Sequence, residues 1–75
     1  MKILALGGSG GMGRFAVHSL IKHPQVESIL VADLNESAAK KFASTLSEKT
    51  SGIGIDVTDK EALEKAMKGV DVVIN

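Results

Sequence analysis

The segment "LALGGSGGMGRFAV", Leu4 to Val17, places five glycines in the seven positions 7–13, between one apolar run and another. Glycine loses more backbone freedom on ordering than any other residue. A chain that concentrates glycines at one junction must therefore use the bare backbone they provide. The run before them, "KILAL", is short and apolar throughout, and the run after them is amphipathic with helical spacing. The glycines thus occupy a strand-to-helix turn, which calls for a layered α/β arrangement.

The rest of the chain repeats that alternation. Lys2 to Leu6 reads as a first strand, apolar on both faces as a buried parallel strand should be. Gly11 to Lys22 reads as a helix with Val17, Leu20 and Ile21 inward, ended by Pro24. "SILVA", Ser28 to Ala32, is a second buried strand. Asn35 can cap the next helix, along which Ala39, Phe42, Ala43 and Leu46 recur at helical spacing. That helix is expected to dissolve in the Ser/Thr/Gly-rich stretch Lys49 to Gly52, with Ile53 to Ile55 as a short third strand. Thr58 and Glu61 match a capping box for a third helix. Its predicted buried stripe is Leu63, Ala66 and Met67, its exposed pairs are Glu61 with Lys65 and Glu64 with Lys68, and its stop is Gly69. "VDVVIN" supplies a fourth strand ending at Asn75.

The reading is β-α-β-α-β-α-β. Right-handed crossovers give the strand order 3-2-1-4, the first half of a Rossmann-type, doubly wound parallel sheet. Residues 1–75 are expected to form the N-terminal part of a dinucleotide-binding domain, truncated after the fourth strand, so that the chain is a fragment of a longer protein. An edge left open there could pair with a second copy to give a homodimer.

Composition narrows the functions. Nine basic residues balance nine acidic ones, and Tyr and Trp are absent. Such a chain offers neither an electrostatic footprint for nucleic acid nor a platform for stacking bases. It has no cysteine, so disulfide, iron-sulfur and thiol chemistry are excluded. No run approaches the roughly 20 apolar residues of a membrane span, and no signal peptide precedes "KILAL". A cytoplasmic location follows as the expectation.

Gly8, Gly10 and Gly13 fit G-x-G-x-x-G directly after a strand. The first permits the tight turn, the second lets a pyrophosphate approach the backbone, and the third lets helix and strand pack closely. Free N–H groups and the positive end of the helix dipole then hold the anion. Gly7, Gly10 and Gly13 also fit a wider G-x-x-G-x-x-G, and the register alone does not choose between them. No Gly-Lys-Ser/Thr closes the loop, which excludes a Walker A site.

Asp33 closes the second strand 20 residues after Gly13, where the fingerprint places an acid on the ribose hydroxyls. A carboxylate there repels a 2′-phosphate, and Leu34 stands where an Arg would serve NADP. NAD is favoured, with NADP left open through Asn35, Ser37 and Lys40. Asp56 and Val57 of "DVTD" can border the adenine, the carboxylate accepting from its exocyclic amine, although a loop and helix cap would also explain them. Asn75 ends the fourth strand at the topological switch point. Arg14, in the first turn of the first helix, is read as solvent-exposed or as touching a cofactor phosphate. His18 and His23 have no partners at metal-ligand spacing and read as solvated helix residues.

The segments "KILALGGSGGMGR", "HPQVESILVADLN", "DVTDKEAL" and "GVDVVIN" together resemble the N-terminal cofactor domain of the saccharopine dehydrogenase-like family. The resemblance implies NAD or NADP binding in the oxidation or reduction of an amine-linked amino acid such as saccharopine or lysine. It implies that Gly8, Gly10, Gly13 and Asp33 hold the cofactor, while Ser9, Gly11 and Met12 contribute loop backbone. Many such relatives carry Arg after the acid, where this chain has Leu34. Substrate-binding and hydride-transfer residues are expected beyond Asn75, so the chain alone carries no catalytic residues. Two alternatives stay open: an extended short-chain dehydrogenase or epimerase, and a non-catalytic nucleotide sensor.

Overall fold

The computed structural model describes residues 1–7 and 11–74, the backbone alone for 11–14. Its elements are β1 (Lys2–Leu6), α1 (Gly11–Leu20), β2 (Ser28–Asp33), α2 (Glu36–Leu46), β3 (Thr50–Gly54), α3 (Lys60–Met67) and β4 (Val72–Ile74). The strands form one parallel sheet in the order β3-β2-β1-β4, as the alternation of apolar and amphipathic runs predicts. Leu4 of β1 stands level with Leu30 of β2 and Val73 of β4. Asp71 fixes that last register by donating its N–H to the Lys2 carbonyl at 2.8 Å and accepting the Lys2 N–H on its carboxylate at 2.7 Å.

Side chains alternate across the sheet, so each strand feeds two cores. Ile3, Ala5, Ile29 and Val31 face α1 and α2, where they meet Val17, Val26 and Ala39. Leu4 and Ala32 face the other way, joining Ile55 under α3. Leu20, Ile21, Phe42 and Leu46 pack at the rim of the first core, which agrees with the inward stripes read for the first two helices.

Five local expectations are corrected. Helix α1 stops at Leu20 rather than Lys22. Pro24 disfavours helical backbone at His23, and the chain turns instead, with the His23 N–H on the Leu20 carbonyl at 2.9 Å and the Val26 N–H on the His23 carbonyl at 3.1 Å. Strand β3 begins at Thr50, inside the stretch read as an unwinding helix end, and stops at Gly54. Small residues serve there because α2 lies almost on the strand. A Cβ on Gly52 would stand 2.5 Å from the Ala39 carbonyl carbon and from the Lys40 nitrogen. Buried Thr50 turns its hydroxyl to the Ala43 carbonyl at 2.6 Å.

Helix α3 is capped by Asp59, whose carboxylate accepts the Ala62 N–H at 3.2 Å. Thr58 is diverted to Asp56, so the expected Thr58–Glu61 capping box does not form, and Asp59 caps alone because Ala62 stands three residues on. Met67 is 43% exposed rather than buried, because Ala62, Leu63 and Ala66 already supply the inward side of the helix. Gly69, with φ +78°, stops the helix as expected. Among the described residues, the i,i+4 ion pair that forms is Glu36 with Lys40, and neither of the pairs expected on α3 does. No helix among them is long and apolar enough to cross a membrane.

Candidate functional site

The carboxyl ends of β1, β2 and β3 meet along one edge of the sheet, where open α/β sheets take their ligands. Strand β1 leaves the sheet at Gly7, whose φ of +67° is open to glycine and strained for other residues. Its N–H donates to the Ala32 carbonyl at 2.7 Å, which ties the start of the turn to β2. Beside it lies a groove of about 160 Å³ lined by Gly7, Ala32, Asp33, Leu34, Ile55, Asp56 and Val57. Ala32 and Ile55, both buried, form its floor. Larger hollows lie on the outer surfaces of α3 and α2, between helix side chains such as Glu61 and Lys65 or Ala38 and Thr45. They bring together no residues from different strand ends.

Asp33 ends β2 half-buried, and its Oδ1 accepts the Asn35 N–H at 3.2 Å. This is an Asx-type turn. Asn35 in turn caps α2, its side-chain oxygen accepting the Ala38 N–H at 3.0 Å. The β2–α2 connection is thereby fixed at both ends. Leu34, 76% exposed, and Val57, 55% exposed, present apolar side chains at the groove.

Asp56 opens the loop after β3. Its Oδ1 takes the Thr58 hydroxyl at 2.6 Å and the Thr58 N–H at 2.9 Å. These two bonds favour the charged form and hold the carboxyl below its ordinary value. The hydrogen bond and charge of Lys40, 2.8 Å from Glu36 Oε1, do the same for Glu36 at the start of α2. Both carboxylates are therefore ionised at neutral pH.

The structure brings Asp33, Leu34, Asp56 and Val57 together in one groove, from two different connections. Gly8, Ser9, Gly10 and Asn75 lie outside the described residues. Gly11, Met12 and Gly13 form the first turn of α1, while their side chains and that of Arg14 lie outside the description. Gly7 was absent from the predicted cofactor residues, yet it lines the groove and carries the positive φ. The signal for it was the wider Gly7, Gly10, Gly13 spacing. His18 and His23 are exposed, and no group of three or more His, Asp or Glu among the described residues could hold a metal.

Proteins similar in sequence or in fold to this chain are known. Eugenol synthase 1 of Petunia hybrida is 39% identical over 77 residues, spanning 99% of this chain and 25% of that protein. A solved short-chain dehydrogenase/reductase of the glucose/ribitol dehydrogenase type from Brucella melitensis superposes with a TM-score of 0.82 at 21% identity, covering 96% of this chain and 34% of that one. A 3-ketoacyl-(acyl-carrier-protein) reductase from the same organism, solved with NADH, gives 0.77 at 18% identity over 96% of this chain and 32% of its own. At such identities the two structures share the fold with this chain. The chain spans about a quarter of the curated relative. The profile of the saccharopine dehydrogenase NADP-binding domain runs through residues 3–75, from β1 and the glycine turn past Asp33 and Asp56 to β4, and by that match the chain belongs to this family of dinucleotide-binding domains.

Proposed function

We propose that this chain binds NAD along the glycine turn and the adjoining groove, as the cofactor portion of an oxidoreductase acting on an amino-acid-like substrate. One observation carries the reading: Asp33 lies half-buried in the same groove as Gly7, at the end of the strand next to β1. A carboxylate so placed accepts the hydroxyls of an adenosine ribose. The N–H groups of Gly8, Ser9, Gly10, Gly11, Met12 and Gly13 hold the pyrophosphate, with the α1 dipole behind them. Leu34 and Val57 flank the adenine. Asp56 keeps Oδ2 for its exocyclic amine, since both Thr58 bonds fall on Oδ1.

Bound NAD supplies a hydride acceptor and NADH a hydride donor. This chain's residues bind and orient that group, and Asn75, after β4, borders its nicotinamide end. The amine-linked substrate and its proton transfers are handled by residues outside 1–75. Calorimetric titration of the protein with NADH tests the cofactor claim. Saturable binding is expected, weakened about tenfold in Asp33→Ala by loss of a charge-assisted hydrogen bond. Absence of binding at roughly 1 mM NADH, a free energy of only about −4 kcal/mol, would overturn it.

A second reading, a reductase of the short-chain dehydrogenase type, draws on Gly7. Its positive φ makes it the turn glycine, which is the first position of the wider spacing, and the Petunia relative is a synthase outside amino-acid chemistry by name. Turnover of secondary-amine amino acids with NAD supports the first reading. Turnover confined to carbonyl or aryl substrates supports the second.

A further inference from the structure

We propose that Asp71 positions the nicotinamide half of the cofactor site from the opposite end of the sheet, an inference that rests on the site proposed above. The groove that holds Gly7, Asp33 and Asp56 takes its lining from the ends of β1 and β2 and from the connections that follow β1, β2 and β3. Among the described residues, none of that lining comes from β4. The adenosine half of the ligand therefore depends on the first three strands, and its nicotinamide half on the fourth.

Strand β4 is the one held least. It is three residues long and pairs with β1, whereas β1 and β2 are level over five residues. Its side chains do little to choose a register. Val72 is 39% exposed and Val73 40%, yet they point to opposite faces, so a slip of one residue exchanges them at little cost in burial. Half-buried Ile74, packed against the first core, is the side chain that resists it. Such a slip would carry the end of β4 about 3.3 Å past the glycine turn that leaves β1.

Asp71 supplies the missing constraint. Its N–H on the Lys2 carbonyl and its carboxylate on the Lys2 N–H, at 2.8 and 2.7 Å, grip both backbone groups of one residue of β1. A slip in either direction breaks both bonds at once. The stretch just before it cannot substitute, because Gly69 at φ +78° ends α3 and the Val70 N–H donates to the Met67 carbonyl at 3.1 Å. A clasp at the amino end of β4 thus fixes where the strand delivers its carboxyl end to the nicotinamide.

Calorimetric titration of the full chain with NADH and with ADP-ribose, which lacks the nicotinamide, tests this in wild type and three variants. Asp71→Ala is expected to bind NADH about fivefold more weakly, the scale of one lost hydrogen bond, and to bind ADP-ribose as wild type does. Asp71→Leu keeps the bulk without an acceptor and should repeat the loss, which decides the matter if Asp71→Ala does not fold. Asp71→Asn keeps an acceptor oxygen and should recover most of the affinity. A residue that served stability alone would weaken both ligands in proportion. Equal losses for NADH and ADP-ribose, unchanged NADH affinity in Asp71→Ala or Asp71→Leu, or no recovery in Asp71→Asn would overturn the role given to Asp71. Failure of wild type to bind either ligand would instead overturn the cofactor site itself.

Discussion

On the face of the sheet under α1 and α2, Ile3, Ala5, Ile29 and Val31 are sealed against Val17 and Ala39, each nearly inaccessible to solvent. On the opposite face, Leu4, Ala32 and Ile55 are as deeply buried, but α3 covers them with Ala62, Leu63 and Ala66, all half-buried, and no residue of α3 is fully enclosed. The asymmetry follows from topology. Right-handed crossovers from β1 to β2 to β3 put two helices on one side, and the reversed step from β3 to β4 puts one on the other. The glycine turn leaves β1 at the strand where the direction reverses. The groove is thus placed where the two faces part, with one wall from the β2–α2 connection and the other from the loop before α3.

The sharpest way to break the contrast is at Gly52. On the two-helix face the neighbours of its missing Cβ are the backbone atoms of Ala39 and Lys40, which cannot rotate aside as a side chain would. Gly52→Val should cost more than about 3 kcal/mol, beyond the usual range for overpacking. Urea denaturation reads this as a large fall in midpoint, and a midpoint within the scatter of wild type would show that α2 can lift off β3 freely.

A smaller difference separates truncations on the two faces. Ile29→Ala empties a fully buried site and should cost about 2–5 kcal/mol. Leu63 is half-buried, so Leu63→Ala forfeits only part of a side chain's transfer energy, about 1–2 kcal/mol. Amide exchange should follow the same order, with α3 opening before α1 and α2. Equal costs, or α3 protected as long as α2, would mean that the half-covered face is no weaker than the sealed one.

Strand order and the pairing of Asp33 with the glycine turn were legible in the sequence because both follow from period and spacing. Apolar runs such as "ILVA" admit few readings once buried on both faces. Strand β3 was legible only in part. Its Gly52 and Gly54 are poor strand formers, and they are required by the closeness of α2, a tertiary fact that no local pattern carries. The start of α3 was displaced for a similar reason. Thr58 and Asp59 are both competent caps, and the choice fell to Asp59 because Asp56 captures the Thr58 hydroxyl. At the groove, Asp33 and Asp56 could be named from position, whereas the role of Gly7 depended on a dihedral angle that two overlapping glycine spacings left open.

The least of the expected effects separates the two walls of the groove by the origin of their charge. Glu36, the first residue of α2, has its carboxyl lowered by the hydrogen bond and then the charge of Lys40, whereas Asp56, before α3, has its own lowered by the Thr58 hydroxyl and N–H. Since each folded value lies below the unfolded one, each contribution to stability is present above the ordinary value, 4.5 for Glu36 and 3.8 for Asp56, and is lost as pH falls through the folded value. In about 1 M salt the screening length falls to about 3 Å. Carboxyl titrations followed by carbon NMR should then show Glu36 moving up towards 4.5 while Asp56 holds its place. Thr58→Ala removes the hydroxyl bond and should raise Asp56 part of the way to 3.8 at any ionic strength, leaving Glu36 unmoved. An Asp56 that responds to salt and ignores Thr58→Ala would mean that the α3 wall is held by long-range charge, as the α2 wall is in part, and that the two sides of the groove differ only in how deeply their helices are seated.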